Sequence, residues 1–400
     1  MTDVLVVGAS AAGLTTVEAL RRNGFGGRIT LLGAESHPPY DRPPLSKQIL
    51  SGAWTPERTT LRAPEILSAL DVELILGDPA RELDAANRTV RTATRTITAD
   101  HIVVATGARP RTMPVTAGTR GPHVLRTLDD ALALRAGLLA GSRLIVVGEG
   151  VLGAEIAATA REMSLDVTMT GPQPAPMAAQ LGELASGLLA ELHTERGVRL
   201  RLGLGVTRLV EDDGAVTGVE LASGQTLSAD LVVVAIGAVP ATEWLEGSGL
   251  RLDNGVVCDA ECRAAENIYA VGDVARWQHA GYGGTVRLEN RTNATEQAMV
   301  VAANIVGTPR EYRPVPYFWT DQFQAKIQVH GVIAADAHAT VVEGDPADGR
   351  FVARYERDGV VTGVLGWNMP KQCRAHRQHV VDALAVDALE DPVTAQRTAS

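Results

Sequence analysis

Cysteine and aromatic residues are scarce in this sequence, and no long apolar run is present. Three cysteines, Cys258, Cys262 and Cys373, occur in 400 residues, which excludes a disulfide framework of the kind that staples small secreted domains. Cys258 and Cys262 are separated by three residues, a spacing open to a redox pair or half a metal site. No second Cys or His pair at ligand spacing accompanies them, so they read as ordinary cytosolic thiols. Aromatics make up 4% of the chain, so the core must be built mainly of Val, Leu, Ala and Ile. No apolar stretch approaches the roughly 20 residues that a spanning helix needs. Met1-Thr-Asp leads straight into an apolar run with no basic segment before it; no secretory leader is expected, and a cytoplasmic location is. Excess positive charge is also missing. A net charge of −10 argues against nucleic acid as a partner, because phosphate neutralisation needs a basic surface.

What is present fits a soluble α/β protein of two or three domains: 400 residues, 45% apolar, 21% charged, with 40 glycines. Short apolar runs bounded by glycine alternate with Ala/Leu-rich segments, the pattern of parallel strands and crossover helices. The runs predict strands at Val4–Val7, Ile29–Leu32, Val72–Leu76, Ile102–Ala105, Leu144–Val147, Val167–Thr170 and Leu231–Ala235. Helices are predicted over Ala11–Asn23, Asp129–Leu139 and Leu152–Met163. One unit recurs: strand, glycine turn, helix, strand, at Asp3–Leu32 and again at Arg143–Thr170. Each copy closes on a later strand, followed by Ala105-Thr106-Gly107 in one case and Ala235-Ile236-Gly237 in the other. Two related nucleotide-binding folds in one chain is the simplest reading. After Tyr317 the texture becomes alternating, which predicts an antiparallel C-terminal domain, and the last dozen residues read as a loose tail.

In the first glycine turn, Val6-Val7-Gly8-Ala9-Ser10-Ala11-Ala12-Gly13, Gly8 permits the tight turn and Gly13 the close approach of helix to strand. Ser10 stands where the fingerprint has its middle glycine. The helix N-terminus beyond it suits a diphosphate. The next strand ends at Leu32-Gly33-Ala34-Glu35, which puts a carboxylate within reach of a ribose.

The string Pro39-Tyr40-Asp41-Arg42-Pro43-Pro44-Leu45-Ser46-Lys47 resembles the ferredoxin reductases of oxygenase systems (rubredoxin and putidaredoxin reductases among them), FAD flavoproteins of the glutathione-reductase fold. Ala105-Thr-Gly-Ala-Arg-Pro110, Leu125-Arg-Thr-Leu-Asp-Asp130, Tyr269-Ala-Val-Gly-Asp-Val274 and Pro316-Tyr-Phe-Trp-Thr-Asp-Gln322 follow in the family's order. The resemblance implies a discontinuous FAD domain (residues 1–112 and 242–315), an inserted NAD(H) domain (113–241) and a C-terminal α+β domain (316–400). It implies that Gly8, Ser10, Ala12, Gly13, Glu35, Ala105, Thr106 and Gly107 cradle FAD. Arg42 and Lys47 would lie along the flavin, with Arg126 approaching FAD, Asp273 bonding the ribityl or pyrophosphate region and Trp319 beside the isoalloxazine. Disulfide reductases of this fold carry a cysteine pair where this chain has Arg42-Pro43-Pro44-Leu45-Ser46-Lys47. A thiol relay is therefore not expected, and electrons should leave the flavin directly.

The second turn, Gly148-Glu149-Gly150-Val151-Leu152-Gly153-Ala154-Glu155, keeps all three glycines, and Gly148, Gly150, Leu152, Gly153 and Gly237 are the expected nicotinamide-dinucleotide contacts. Glu155 matches a family glutamate near the nicotinamide that pairs with the lysine at Lys47; these two are the expected catalytic residues. Four features depart from the family. Glu149 puts a carboxylate in a loop meant for phosphates, a cost unless it points away. The strand that relatives end in a ribose-binding acid runs here into Gly171, and an arginine common a few residues later is Ala179, with no cation in place for a 2′-phosphate. An acid restored at Gly171 is expected to tighten NADH binding. A His-Trp pair beside the flavin is replaced by Asn290-Arg291 after Glu289, a change that brings a cation to the ring or, equally, alters only the surface after a local shift.

Two functional readings follow. In one, the chain takes hydride from NADH onto FAD and passes single electrons to a ferredoxin serving an oxygenase. In the other, the nicotinamide site is degenerate and the protein is a flavoprotein oxidase or a metabolite-transforming flavoenzyme. For an acidic ferredoxin, the docking candidates are Arg310, Arg313, Lys326 and the cluster Lys371, Arg374, His376, Arg377 and His379. A solvated helix face explains that last cluster equally well. No membrane or metal site is expected.

Overall fold

The computed structural model describes residues 2–390, so the expected loose tail falls almost wholly outside the described residues. The first unit opens with β1 (Asp3–Val7), α1 (Ala11–Arg22) and β2 (Arg28–Leu32), followed by β3 (Glu73–Ile75) and β4 (His101–Val104). The strands are apolar on both faces: Leu5, Val6, Ile102, Val103 and Val104 are fully buried, as a parallel sheet covered on both sides requires.

The second unit begins with α2 (Leu128–Ala140), whose N-terminus is closed by a reciprocal Thr127–Asp130 capping box. It continues through β5 (Arg143–Val147), α3 (Val151–Glu162), β6 (Asp166–Gly171), α4 (Ala178–Glu195), β7 (Arg199–Leu202) and β8 (Leu231–Val234). These four strands form their own parallel sheet in the order β7-β6-β5-β8. The chain then returns to the first sheet. β9 (Arg263–Ala265) and β10 (Ile268–Ala270) add to β4, giving the order β9-β10-β4-β1-β2-β3, and α5 (Arg291–Ile305) packs against α1.

The alternating segment forms a five-stranded antiparallel sheet: β11 (Tyr317–Gln322), β12 (Ala325–Gly331), β13 (His338–Asp345), β14 (Arg350–Arg357) and β15 (Val360–Trp367). α6 (Pro370–Glu390) covers it, with Cys373 and Val380 turned inward. Every strand and helix predicted above is found, within one or two residues at its ends. The core is mostly aliphatic, as the shortage of rings dictates, but the few rings are well used: Trp277, Tyr355 and Phe351 are among the largest fully buried side chains. Among the described residues, no helix is long and apolar enough to cross a membrane.

Candidate functional site

The two glycine turns are built alike, atom for atom. Gly8 has φ +121° and a Cβ there would stand 2.1 Å from the Ala105 carbonyl oxygen; Gly148 has φ +115° and a Cβ there would stand 2.2 Å from the Ala235 carbonyl oxygen. A Cβ on Gly13 would collide with the Gly8 carbonyl at 1.8 Å, and one on Gly153 with the Gly148 carbonyl at 2.0 Å. In each unit the first glycine therefore brings the turn against the closing strand, and the last brings the helix against the turn. By contrast, a Cβ on Gly150 would meet nothing within 4 Å. That open face at the start of α3 has the space a phosphate needs.

Between the turns lies a cavity of about 590 Å³, within the usual range of small-molecule sites. The first unit contributes Ser10, Ala12, Arg42, Lys47, Ala105, Thr106, Gly107 and Asp273 to its walls, and the second contributes Arg126, Gly150, Leu152, Glu155 and Gly237. Arg291 and Trp319 complete them. A second cavity of about 230 Å³ continues past Ser10 and Arg42 to Gly8 and Glu35. Ser10 is the N-cap of α1, yet its side chain caps no backbone N–H, so its hydroxyl is available to a ligand. The glycines that a Cβ would jam, the open helix starts and the guanidinium groups fit two dinucleotides meeting in one cleft. None of the three cysteines lines either cavity.

Lys47 sits on a wide helical turn, Leu45–Ile49, in which Ile49 N donates to Pro44 O. Its Nζ lies 2.7 Å from Glu155 Oε2 on α3, and both side chains are largely buried. Ser46 Oγ donates to the same carboxylate oxygen at 2.6 Å, and Thr320 Oγ1 donates to Oε1 at 2.8 Å. Thr159 Oγ1, one turn along α3, donates to Ser46 O. Behind Thr320 the network continues: Gln322 Nε2 donates to Thr320 Oγ1, and His193 Nε2 meets Gln322 Oε1 at 2.7 Å. Burial holds the His193 imidazole below its ordinary pKa. Ser46, Thr320, Gln322 and His193 are the partners that sequence reasoning missed. The signal available was the two-residue spacing of Thr320 and Gln322 on β11, which puts both on one face.

Five predicted contacts are held in three ion pairs within the protein. Glu35 accepts from Tyr40 Oη and from Arg42 Nη2, so its carboxylate is already braced rather than waiting for a ribose alone. Burial pushes the Tyr40 phenol up. Arg126 pairs with Asp273 at 3.0 Å. Arg291, the expected cation, pairs with Asp41 at 2.6 Å, while Asn290 caps α5 through Asn293 N. The charge at this wall is therefore a dipole.

Glu149 does not enter the cradle. Its side chain is turned to the end of β6, where Gln173 N donates to Oε1 at 3.1 Å. A Cβ on Gly171 would stand 1.4 Å from Glu149 Oε2. The acid expected to tighten binding from Gly171 would have to displace the Glu149 carboxyl group, which occupies that space. Cys262 and Cys258 are buried, Gln297 Nε2 contacts the Cys262 sulfur, and burial pushes the Cys262 thiol up to about 12. Such thiols are inert. Among the described residues, no group of three His, Cys, Asp or Glu side chains could hold a metal.

Comparison with known proteins agrees with this architecture. Residues 2–298 match the pyridine nucleotide-disulphide oxidoreductase family, and residues 317–399 match the reductase C-terminal family. Rhodocoxin reductase of Rhodococcus erythropolis is 39% identical over 401 residues, covering 99% of this chain and 92% of the relative. Putidaredoxin reductase of Pseudomonas putida is 33% identical over 393 residues, covering 96% and 93%. A crystal structure of a covalent putidaredoxin reductase–putidaredoxin complex superposes with a TM-score of 0.90 at 32% identity, covering 96% of this chain and 93% of that one.

Proposed function

This chain belongs to the pyridine nucleotide-disulphide oxidoreductase family, and on that premise we propose that it is an FAD-dependent NADH:ferredoxin reductase serving an oxygenase. One observation carries the reading. Lys47, from the loop of the first unit, and Glu155, from the helix of the second, close a single ion pair in the wall of the cavity that both glycine turns face. FAD held there would supply the exchange between a two-electron hydride donor, NADH, and a one-electron iron–sulfur acceptor.

The residues of the chain hold and orient the two dinucleotides. The N-termini of α1 and α3 offer free N–H groups to the two diphosphates. Arg42 and Arg126 add positive charge beside the first. Lys47 presents its ammonium to the cavity, and Ser46 and Thr320 hold the Glu155 carboxylate that fixes where that charge sits. Trp319 walls the cavity, and Tyr317 stacks on it with ring centroids 5.9 Å apart. Charges held in place in this way reorganise little during transfer. With no cysteine in either cavity, a thiol relay has no residue to run through.

The alternative of a degenerate nicotinamide site drew on Glu149 lying among phosphates and on the ribose grip missing at Gly171 and Ala179. The position of Glu149 at the end of β6 removes the first objection. We place the domain boundaries where the chain changes sheet: 1–112 with 242–315 for FAD, 113–241 for NADH, and 316–400 for the C-terminal domain. The partner we propose is an acidic ferredoxin in the cytoplasm, docking on the basic residues of α6. Lys371, Arg374 and His379 are exposed there, whereas His376 is drawn to Glu343 and Arg313 to Glu311. Arg374 also lies near Tyr317, which ties this face to Trp319 and the cavity. The test is NADH-driven reduction of a purified [2Fe–2S] ferredoxin at rising salt. Turnover with a KM that climbs with salt supports the reading; reduction of oxygen alone, with no transfer to any ferredoxin, refutes it.

A further inference from the structure

Gly171 ends β6, the place from which a dinucleotide-binding unit ordinarily sends an acid to the ribose hydroxyls. Nothing in its backbone calls for glycine, since its φ lies outside the positive range that side chains avoid. The space beside it is taken by the end of one flexible side chain. The three atoms nearest to a Cβ built there all belong to one carboxyl group: Glu149 Oε2 at 1.4 Å, Cδ at 2.4 Å and Oε1 at 3.2 Å. The residue that fills the space beside Gly171 is thus itself an acid, one position into the glycine turn.

We propose that Glu149 supplies, from the glycine loop, the carboxylate that holds the adenosine ribose of the nicotinamide dinucleotide, in place of the acid absent at Gly171, and that it thereby selects NADH over NADPH.

Glu149 is held for such a role. Its backbone carbonyl accepts from Met177 N at 2.8 Å, and the preceding Gly148 N donates to Thr170 O at 2.8 Å, which locks the loop to the end of β6. Glu149 is 6% exposed. Oε1 is satisfied by Gln173 N, whereas Oε2 accepts no hydrogen bond among the described residues. An unoccupied carboxylate oxygen accepts from a 2′- or 3′-hydroxyl and repels a 2′-phosphate. The cations on the adjoining strand β7 are Arg199, which is engaged by Asp166 and Thr168, and Arg201, which is exposed and in register with Thr170. Arg201 is the side chain through which a 2′-phosphate would have to be welcomed, so both dinucleotides belong in the test.

This inference rests on the reading of the second unit as a nicotinamide-dinucleotide domain. The experiment is calorimetric titration of the oxidised, FAD-loaded protein with NAD+ and with NADP+. The variants are Glu149→Gln, Glu149→Gly, Gly171→Glu and the paired exchange of the last two, each checked for flavin content and melting temperature. The native protein is expected to bind NAD+ at least about tenfold more tightly than NADP+, and Glu149→Gln to lose about tenfold toward NAD+ while the gap to NADP+ narrows. Gly171→Glu alone weakens NAD+ binding, because two carboxylates compete for one space. The paired exchange, which moves the acid to the strand, regains NAD+ affinity to within about threefold. An unchanged or tighter NAD+ affinity in Glu149→Gln, or a paired exchange no better than Glu149→Gly, overturns the assignment. A native, flavin-loaded protein that binds neither dinucleotide sinks the reductase reading itself.

Discussion

Lys47 and Glu155 come from different nucleotide-binding units and meet at 2.7 Å in the wall of the cavity between them. Neither unit alone provides the pair, so its geometry depends on how the two units dock. Removing one partner strands the other charge in a largely buried place. Lys47→Met is expected to destabilise the FAD-loaded protein by about 3 kcal/mol, read as a lower urea midpoint at unchanged slope. Combining it with Glu155→Leu should recover part of that loss while NADH-driven turnover stays low.

The twin glycines separate the two cofactors. Gly8→Ala and Gly148→Ala meet the same obstruction, a carbonyl oxygen of the closing strand, in two different units. We expect Gly8→Ala to purify with less than about a tenth of its flavin, because a side chain at positive φ adds about 1–2 kcal/mol of strain to the clash. Gly148→Ala should keep its yellow colour and lose NADH binding. Flavin absorbance per mole of protein distinguishes them, and equal flavin loss in both would contradict the assignment of the units.

Arg291 and Asp41 form the third test. Paired at 2.6 Å, they place a dipole at the cavity wall. Asp41→Asn leaves the guanidinium unbalanced, and a cation near the flavin favours its more negative, reduced form. The reduction potential is expected to rise by about 30 mV, equivalent to about 1.4 kcal/mol for two electrons, and Arg291→Ala to lower it. Potentials measured against a reference dye check both signs.

Much of this was legible in the sequence. The strand–turn–helix repeat announces itself because glycine at Gly8, Gly13, Gly148 and Gly153 answers to local backbone geometry. The pairing of Glu149 with Gly171 was not legible. The loop residue looks like an electrostatic fault and the strand-end glycine like a missing ligand; only the fold shows that they share one volume. The same holds for Glu155 and Thr320, which meet because β11 passes beside α3, and for Arg291, whose charge is answered by Asp41 from a distant loop. Side-chain neighbours set by sheet docking leave little trace in a single chain of letters.

Acid stability should carry the mark of His330. It is buried with Nδ1 unpartnered, stacked on Tyr317, and pushed down to about 4 by burial and by Arg377 and Arg374. A histidine whose folded pKa lies below its unfolded one binds its proton more readily in the unfolded chain. Its penalty is absent above about pH 6.5 and grows as pH falls toward 4. Of the acid destabilisation between pH 7 and pH 4.5, about 2 kcal/mol is expected to vanish in His330→Gln. Urea midpoints at the two pH values test this.

The most direct test of the central claim is an anaerobic titration of the purified yellow protein with NADH, following flavin absorbance, with NADPH in parallel. Rapid, saturable bleaching by NADH, complete near one equivalent and weaker with NADPH, is the predicted result. A flavin that dithionite bleaches and NADH leaves untouched would contradict it.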